Sequence, residues 1–202
     1  MKIFRSAVVL ASFALTVQAH AIPSFTDLAA QANASPGSDF IDVNNFNHTA
    51  ITNDAFWSAQ PGAGVKFKAE ISGYNNAMGY ANTDGTGQVI VLEEGQTGWQ
   101  SISAAPDPFV FFLDTGNSNN DIWFSDNSLN DDGLDHMLAF QRLDDVSKFI
   151  VFWDDQKGGG DRDFNDFVAR VDFVNPVPEP GTLALLGLGL AGLGISRRRK
   201  QL

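Results

Sequence analysis

One acidic segment, residues 153–168, carries the side chains best suited to chemistry. Three consecutive glycines, Gly158–Gly160, let its backbone turn tightly, and oxygen-bearing side chains follow at close spacing. Carboxylate and amide oxygens are ligands that calcium prefers, roughly six to eight at a time, with carbonyl groups and water completing the shell. The sequence therefore predicts a calcium site that is built from these side chains: Asp161, Asp163, Asn165, Asp166, Asp154 and Asp155.

An extended backbone through this segment would direct alternate side chains to the same side. Asp161, Asp163 and Asn165 would then converge on one ion, while Phe164 would turn into the core. The spacing also matches part of an EF-hand, but Asp166 occupies the position where that loop needs glycine. A strand pattern rather than a helix follows, so an EF-hand is excluded.

A solvated acidic turn is the alternative for this segment, because aspartate caps turns by bonding to its own backbone. Adjacent aspartates favour a bound cation instead, since neighbouring carboxylates repel each other unless something neutralises them. Such pairs occur at Asp131–Asp132, Asp144–Asp145 and Asp154–Asp155. We therefore prefer the metal site to the solvated turn.

The acidity extends over the whole central part of the chain, residues 22–177. This part holds 7 basic and 23 acidic residues, a net charge of −16, whereas the whole chain has −11 because its two ends are basic. Nucleic acid is excluded as a partner, since its phosphates call for clustered lysine and arginine. The charge favours cations as partners.

The chain has no cysteine, which excludes disulfides, thiolate zinc sites and cysteine nucleophiles.

The elements that must position these side chains are short strands. Residues 65–71 alternate apolar and polar side chains, as a strand with one buried face does. Further β-branched or aromatic runs are separated by Gly, Asn and Asp clusters, and they cover residues 88–92, 109–113, 121–124, 136–141, 148–153 and 167–174. The pattern predicts an all-β fold, a jelly-roll-like antiparallel β-sandwich, over residues 65–176.

The segment before the sandwich, residues 22–64, is polar and rich in Asn, Ser and Ala. Only Phe25–Ala34 has a helical pattern. We expect this segment either to wrap around the sandwich or to be partly flexible.

Three stretches of the central part carry a resemblance to a known family. They are Phe111–Asp114, His136–Phe140, and Gly160–Asp166 with its Gly-Asp-x-Asp-Phe-Asn-Asp pattern before an apolar strand. Over about residues 95–174 the chain resembles the domain of unknown function 4114. Members of that family occur in secreted and surface proteins, and their biochemical role is not established. The resemblance therefore implies a location rather than an activity.

The N-terminal end has the layout of a secretory signal peptide. Lys2 and Arg5 precede an apolar run, Ala7–Val17, and the small residues Ala19 and Ala21 follow. As a helix this run would rise only about 16 Å, against a bilayer core of roughly 30 Å, so an uncleaved anchor is the weaker alternative. We expect residues 1–21 to be removed after Ala21.

The C-terminal end, residues 177–202, combines a break, an apolar stretch and a basic cluster. The break is Pro178, Glu179 and Pro180, the apolar stretch is Thr182–Ile195, and the basic cluster is Arg197, Arg198, Arg199 and Lys200. The stretch would span only about 21 Å as a helix, which is short for a permanent membrane anchor.

This end resembles the PEP-CTERM sorting tail. The resemblance implies export from a Gram-negative bacterium, transient anchoring as a transmembrane helix in the inner membrane, processing by an exosortase, and release at the cell surface. Such tails occur mainly in bacteria that make extracellular polysaccharide. An ordinary membrane anchor that is not processed is the alternative.

Three functions compete for the central part. A secreted hydrolase would use paired carboxylates, but no G-x-S-x-G, H-E-x-x-H or Walker motif is present, and His136 in a strand indicates a structural residue. A carbohydrate-binding module would use exposed tryptophans, for which Trp57 and Trp99 are the candidates, whereas Trp123 and Trp153 belong in the core. We predict a non-enzymatic surface or matrix protein with a calcium-stabilised sandwich and with extracellular polysaccharide as a potential partner.

Overall fold

The computed structural model describes residues 22–178, so the predicted signal peptide lies outside the described residues. So does most of the predicted sorting tail, including Glu179, Pro180, Arg197, Arg198 and Arg199. The described elements are one α-helix, α1 (Phe25–Ala34), three single-turn 3-10 helices (Val43–Asn45, Asn127–Leu129 and Lys157–Gly159), and nine strands: β1 (Phe56–Glu70), β2 (Ala77–Asn82), β3 (Val89–Glu93), β4 (Gln100–Ser101), β5 (Phe109–Asp114), β6 (Ile122–Phe124), β7 (Met137–Gln141), β8 (Lys148–Trp153) and β9 (Phe167–Val177).

The strands form an all-β sandwich, as the sequence predicts. They follow the order β3-β2-β5-β1-β9-β8-β7, with β4 paired to β1 and β6 paired to β5, and every pairing is antiparallel. Side chains from both ends of this order meet in one core, among them Met78 of β2, Leu92 of β3 and Met137 of β7. Because both ends contribute to one core, the curved sheet closes over itself as two packed layers.

Alternation along β8 shows how the layers are filled. Phe149 and Trp153 face the enclosed core, whereas Ile150 and Phe152 face outward into a second apolar cluster. This is the period-two pattern of a strand whose two faces are both covered. The second cluster is completed by the helix α1.

Helix α1 begins where Ser24 accepts a hydrogen bond from the backbone N–H of Asp27 over 3.2 Å. Such a cap satisfies one of the free N–H groups at a helix start. Phe25, Leu28 and Ala32 form a buried face that packs against the sheet. The N-terminal segment therefore covers the outer face of the sandwich with this helix.

The sandwich begins earlier than the sequence predicts. Strand β1 starts at Phe56, whereas the alternating pattern starts only at residue 65. The register of β1 with β9 shifts between Ala59 and Gly64, and this irregularity interrupts the alternation. Trp57, which we expected to be exposed, is fully buried in the core and donates its indole N–H to the carbonyl of Asp54 over 2.6 Å.

Trp123 and Trp153 are buried in the core and Trp99 is exposed, as the sequence predicts. Within residues 22–178, no helix is long and apolar enough to cross a membrane.

Candidate metal centre at the acidic loop

The acidic loop, which we define as residues 154–166, connects β8 to β9 at one end of the sandwich. Two hydrogen bonds join the two ends of the loop, which we call its base. The N–H of Asp166 donates to the carbonyl of Trp153 over 3.1 Å, which continues the pairing of β8 with β9. The N–H of Asp155 donates to Oδ2 of Asp166 over 2.9 Å. The two ends of the loop are therefore held together by its own aspartates.

Trp123 of β6 and His136, directly before β7, form hydrogen bonds with backbone carbonyls at the start of the loop. Nδ1 of His136 lies 2.9 Å from the carbonyl oxygen of Asp154, and the indole N–H of Trp123 donates to the carbonyl of Asp155 over 2.9 Å. His136 is buried, and its Nε2 lies 3.1 Å from Oδ2 of Asp132. His136 thus holds the hydrogen-bonded structural position that the sequence indicated.

The loop is not extended, contrary to the assumption behind the predicted convergence of alternate side chains. Arg162 and Phe164 have φ of 53° and 52°, in the left-handed region that side chains other than glycine rarely adopt. Gly158 and Gly159 also have positive φ, so the glycines provide the tight turn that was expected of them. Phe164 is fully buried against the helix cluster, as predicted.

The structure brings together the aspartates at the two ends of the loop. Asp154, Asp155 and Asp166 are only 1%, 2% and 6% exposed. Burial raises the pKa of Asp166 to about 8, and repulsion by nearby aspartates, Asp155 foremost, adds to the effect. Burial likewise raises the pKa of Asp154 and of Asp163. Several carboxylates therefore share one poorly solvated region.

The remaining predicted ligands lie farther out. Asp161 is exposed, and Asp163 is half-buried. Asn165 is buried, and its Nδ2 donates to Oδ2 of Asp163 over 2.6 Å and also to Oε1 of Gln31 in α1. Within residues 22–178, no three or more His, Cys, Asp or Glu side chains are already grouped so that they could hold a metal ion.

The ion pairs within residues 22–178 do not include the aspartates of the acidic loop. In the part of the chain that the structure describes, none of its aspartates forms an ion pair with lysine, arginine or histidine; the ion pairs there involve Asp39, Asp131, Asp132, Asp144, Asp145 and Asp172. Taking a carboxylate out of water without a counter-charge is unfavourable, so a bound cation would stabilise this group of buried aspartates.

Asn76, directly before β2, belongs to this region and was not predicted as a site residue. It is 1% exposed, and its Nδ2 donates to Oδ2 of Asp155 over 2.9 Å and to Oε1 of Glu70 over 3.2 Å. Ser72 also donates to Oδ2 of Asp155. Among the described residues, Oδ1 of Asn76 and Oε2 of Glu70 are buried oxygens without a hydrogen-bond partner. Local spacing gives no signal for this contact, because Asn76 and Asp155 are 79 positions apart in the sequence.

Two family models match the chain. The PEP-CTERM protein-sorting motif matches residues 176–200, and the domain of unknown function DUF4114 matches residues 105–174. Both resemblances are thereby confirmed, with the second beginning at residue 105 rather than at about 95. The sorting motif indicates a protein that is exported through the cell envelope and processed by an exosortase. No curated protein and no solved structure matches the chain.

Proposed function

We propose that the chain is a non-enzymatic protein of the cell surface or extracellular matrix, whose β-sandwich is stabilised by calcium at the acidic loop. Export and processing by an exosortase follow from the sorting motif. We further propose a Gram-negative host and transient anchoring in the inner membrane through the apolar stretch of the tail. Calcium is abundant outside cells, so a site of roughly millimolar affinity is sufficient.

One observation carries the calcium proposal: Asp154, Asp155 and Asp166 are buried near one another, and among the described residues none of them forms an ion pair with lysine, arginine or histidine. Three ionised carboxylates in a poorly solvated region repel each other strongly. A divalent cation offsets this repulsion by binding oxygens of several carboxylates at once, whereas each proton neutralises a single carboxylate.

The donor set suits calcium rather than a softer metal. It consists of aspartate carboxylates and amide and carbonyl oxygens, with no thiolate in the chain. The unpartnered Oδ1 of Asn76 is a further buried oxygen beside Asp155. Asp161, Asp163 and Asn165 would add ligands from the outer part of the loop. Calcium would supply the positive charge that ties both ends of the loop to the start of β2.

Thermal unfolding of the purified full-length chain, with calcium or with a chelator, tests the proposal. A ligand that binds only the folded state at a hundredfold excess over its Kd adds about 2.7 kcal/mol. For a chain of this size we therefore expect Tm to rise by roughly 5–10 °C with calcium. Magnesium, which holds its water more strongly and prefers a rigid octahedral site, should give a smaller shift. Equal Tm with calcium and with chelator would overturn the proposal.

A further inference from the structure

A groove opens on the sandwich where its two longest strands bulge. Ala59 pairs with Val174 and Gly64 pairs with Asp172, so residues 60–63 of β1 lie opposite Phe173 alone in β9. The resulting groove has a volume of about 570 Å³. This is within the range of about 300–1,000 Å³ that is typical of ligand sites. None of the predicted metal ligands lines it.

Two aromatic side chains present apolar surface in the groove. Trp99 is 47% exposed and Phe173 is 37% exposed, although the other described tryptophans are buried. Phe173 has φ of 60°, a left-handed conformation that is unfavourable for an aromatic residue. Backbone strain of this kind persists only where the surrounding structure imposes it, and it is common at binding sites. The bulge thus directs an aromatic ring to the surface.

Basic side chains lie over both rings. The Cζ atom of Arg170 is 5.3 Å from the centre of the Trp99 ring, and Nζ of Lys148 is 5.1 Å from the centre of the Phe173 ring. Such cation–π contacts restrict the rings without covering them fully. Gly64 lets β1 approach β4 closely at the groove floor, since a Cβ there would lie only 3.0 Å from the carbonyl oxygen of Gln100.

The polar lining of the groove is electrically balanced. Nε and Nη2 of Arg170 donate to the two carboxylate oxygens of Asp172 over 2.8 and 2.9 Å. Gln100 and Ser101 add an amide and a hydroxyl group. The lining therefore offers hydrogen-bond donors and acceptors beside aromatic surfaces, and its own charges cancel.

We propose that this groove binds a neutral polysaccharide, with the Trp99 indole as the surface on which a sugar ring stacks. A pyranose has an apolar C–H face and hydroxyl groups around its edge, which match an aromatic surface flanked by an arginine–carboxylate pair, an amide and a hydroxyl. An anionic polymer fits less well, because the central part of the chain carries a net charge of −16 and the groove contributes no excess positive charge. The groove is independent of the calcium proposal, since the two share no residue.

Native affinity electrophoresis of the full-length chain tests this assignment. The gels contain dextran, hydroxyethylcellulose or galactomannan as neutral polymers, and alginate as the anionic one. We expect retardation by at least one neutral polymer, with and without chelator. Trp99→Ala should weaken the interaction about fivefold or more, and Gln100→Ala should weaken it less. Tyr74→Ala, which removes an exposed aromatic side chain outside the groove, should leave it unchanged.

Three outcomes would overturn the proposal. The first is no retardation by any neutral polymer, and the second is equal retardation of the unsubstituted chain and Trp99→Ala. The third is retardation by alginate alone that disappears with added salt, which would indicate a general charge effect. Matching thermal unfolding curves for Trp99→Ala and the unsubstituted chain show that any loss of binding is local.

Discussion

The indole of Trp123 lies flat on the imidazole of His136, with ring centres 4.0 Å apart and planes inclined by 5°. Both rings are buried, and each contacts the backbone at the start of the acidic loop: Trp123 at the carbonyl of Asp155, and His136 at the carbonyl of Asp154. The stacked pair therefore holds the start of the loop at a fixed position relative to β6 and β7. The conformation of the loop is thus tied to the packing of the core.

Trp123→Phe should lower the free energy of unfolding by roughly 2–4 kcal/mol. The substitution removes buried ring atoms and leaves the carbonyl of Asp155 without its donor. Urea unfolding of the full-length chain measures the effect. Tyr74→Phe, at an exposed aromatic position, should change the free energy by less than about 0.5 kcal/mol. A similarly small effect of Trp123→Phe would contradict the anchoring role of the indole.

Asp54 should make stability depend on pH. Burial, with a contribution from Asp135, raises its pKa to about 7, so the folded state binds the proton more tightly than the unfolded state. Its contribution to the free energy of unfolding therefore falls as pH rises from about 4 to about 7. Asp54→Asn should be more stable than the unsubstituted chain at pH above about 7, on the order of 2 kcal/mol, and similar to it below about pH 4.

Urea unfolding over this pH range, with chelator present, checks the prediction for Asp54. Glu93→Gln, at an exposed carboxylate in β3, is the matched control and should leave the pH profile almost unchanged. Parallel pH profiles for Asp54→Asn and the unsubstituted chain would show that the carboxyl group of Asp54 is not responsible.

Asp39→Asn should destabilise the sandwich by about 1–3 kcal/mol. Oδ2 of Asp39 lies 2.7 Å from Nζ of Lys66 and 2.9 Å from Nζ of Lys68, and Lys68 is buried. Without the carboxylate, the ammonium group of Lys68 has no counter-charge. Asp144→Asn, which removes the partner of Arg142 at an exposed position, should leave the urea midpoint nearly unchanged. Equal effects of the two substitutions would contradict the expectation that the ion pair with buried Lys68 stabilises the fold more than the exposed pair does.

Much of the fold could be predicted because the buried face of a strand or helix makes apolar residues recur at regular intervals in the sequence. The runs at residues 109–113, 148–153 and 167–174 became β5, β8 and β9, and the helical pattern became α1. The bulge opposite Phe173 could not be predicted, because residues 60–63 interrupt the alternation that identifies a strand. The same interruption concealed the burial of Trp57, whose surroundings in the sequence are polar.

The candidate metal centre was only partly predictable, for a related reason. Local spacing predicted Asp161, Asp163 and Asp166 as ligands, but whether each side chain is buried or exposed depends on Arg162 and Phe164, whose left-handed backbone no spacing rule indicates. Asn76 reaches Asp155 only because β2 begins at the same edge of the sandwich as the loop, which is a long-range property of the fold.

Deletion of residues 197–200 should leave the chain unprocessed in its native host. The basic cluster follows the apolar stretch, and positive charge on the cytoplasmic side is what holds such a segment in a fixed orientation. Immunoblots of cell fractions should show a full-length species that accumulates in the membrane fraction, whereas the unsubstituted chain is shortened. Unchanged processing after the deletion would contradict recognition through this cluster.

Asp166→Asn distinguishes two effects of this buried carboxylate: the loss of stability that its charge causes, and its contribution to calcium binding. The amide oxygen can still accept the hydrogen bond from the N–H of Asp155, so the base of the loop is preserved. At pH above about 8 the carboxyl group of Asp166 is ionised in the folded state, and it adds repulsion among its neighbours. With chelator, the variant should therefore melt at or above the Tm of the unsubstituted chain.

With calcium, Asp166→Asn should melt at a lower Tm than the unsubstituted chain. The variant lacks a charged ligand and should therefore lose at least half of the rise in Tm. Differential scanning calorimetry at pH of about 8.5 measures both limits. Asp131→Asn, an exposed carboxylate outside the loop, should keep the full response. If Asp166→Asn responded to calcium as strongly as Asp131→Asn, the ion would bind elsewhere. If it were less stable with chelator, the carboxylate would stabilise the loop without any cation, and the buried charge would need another explanation.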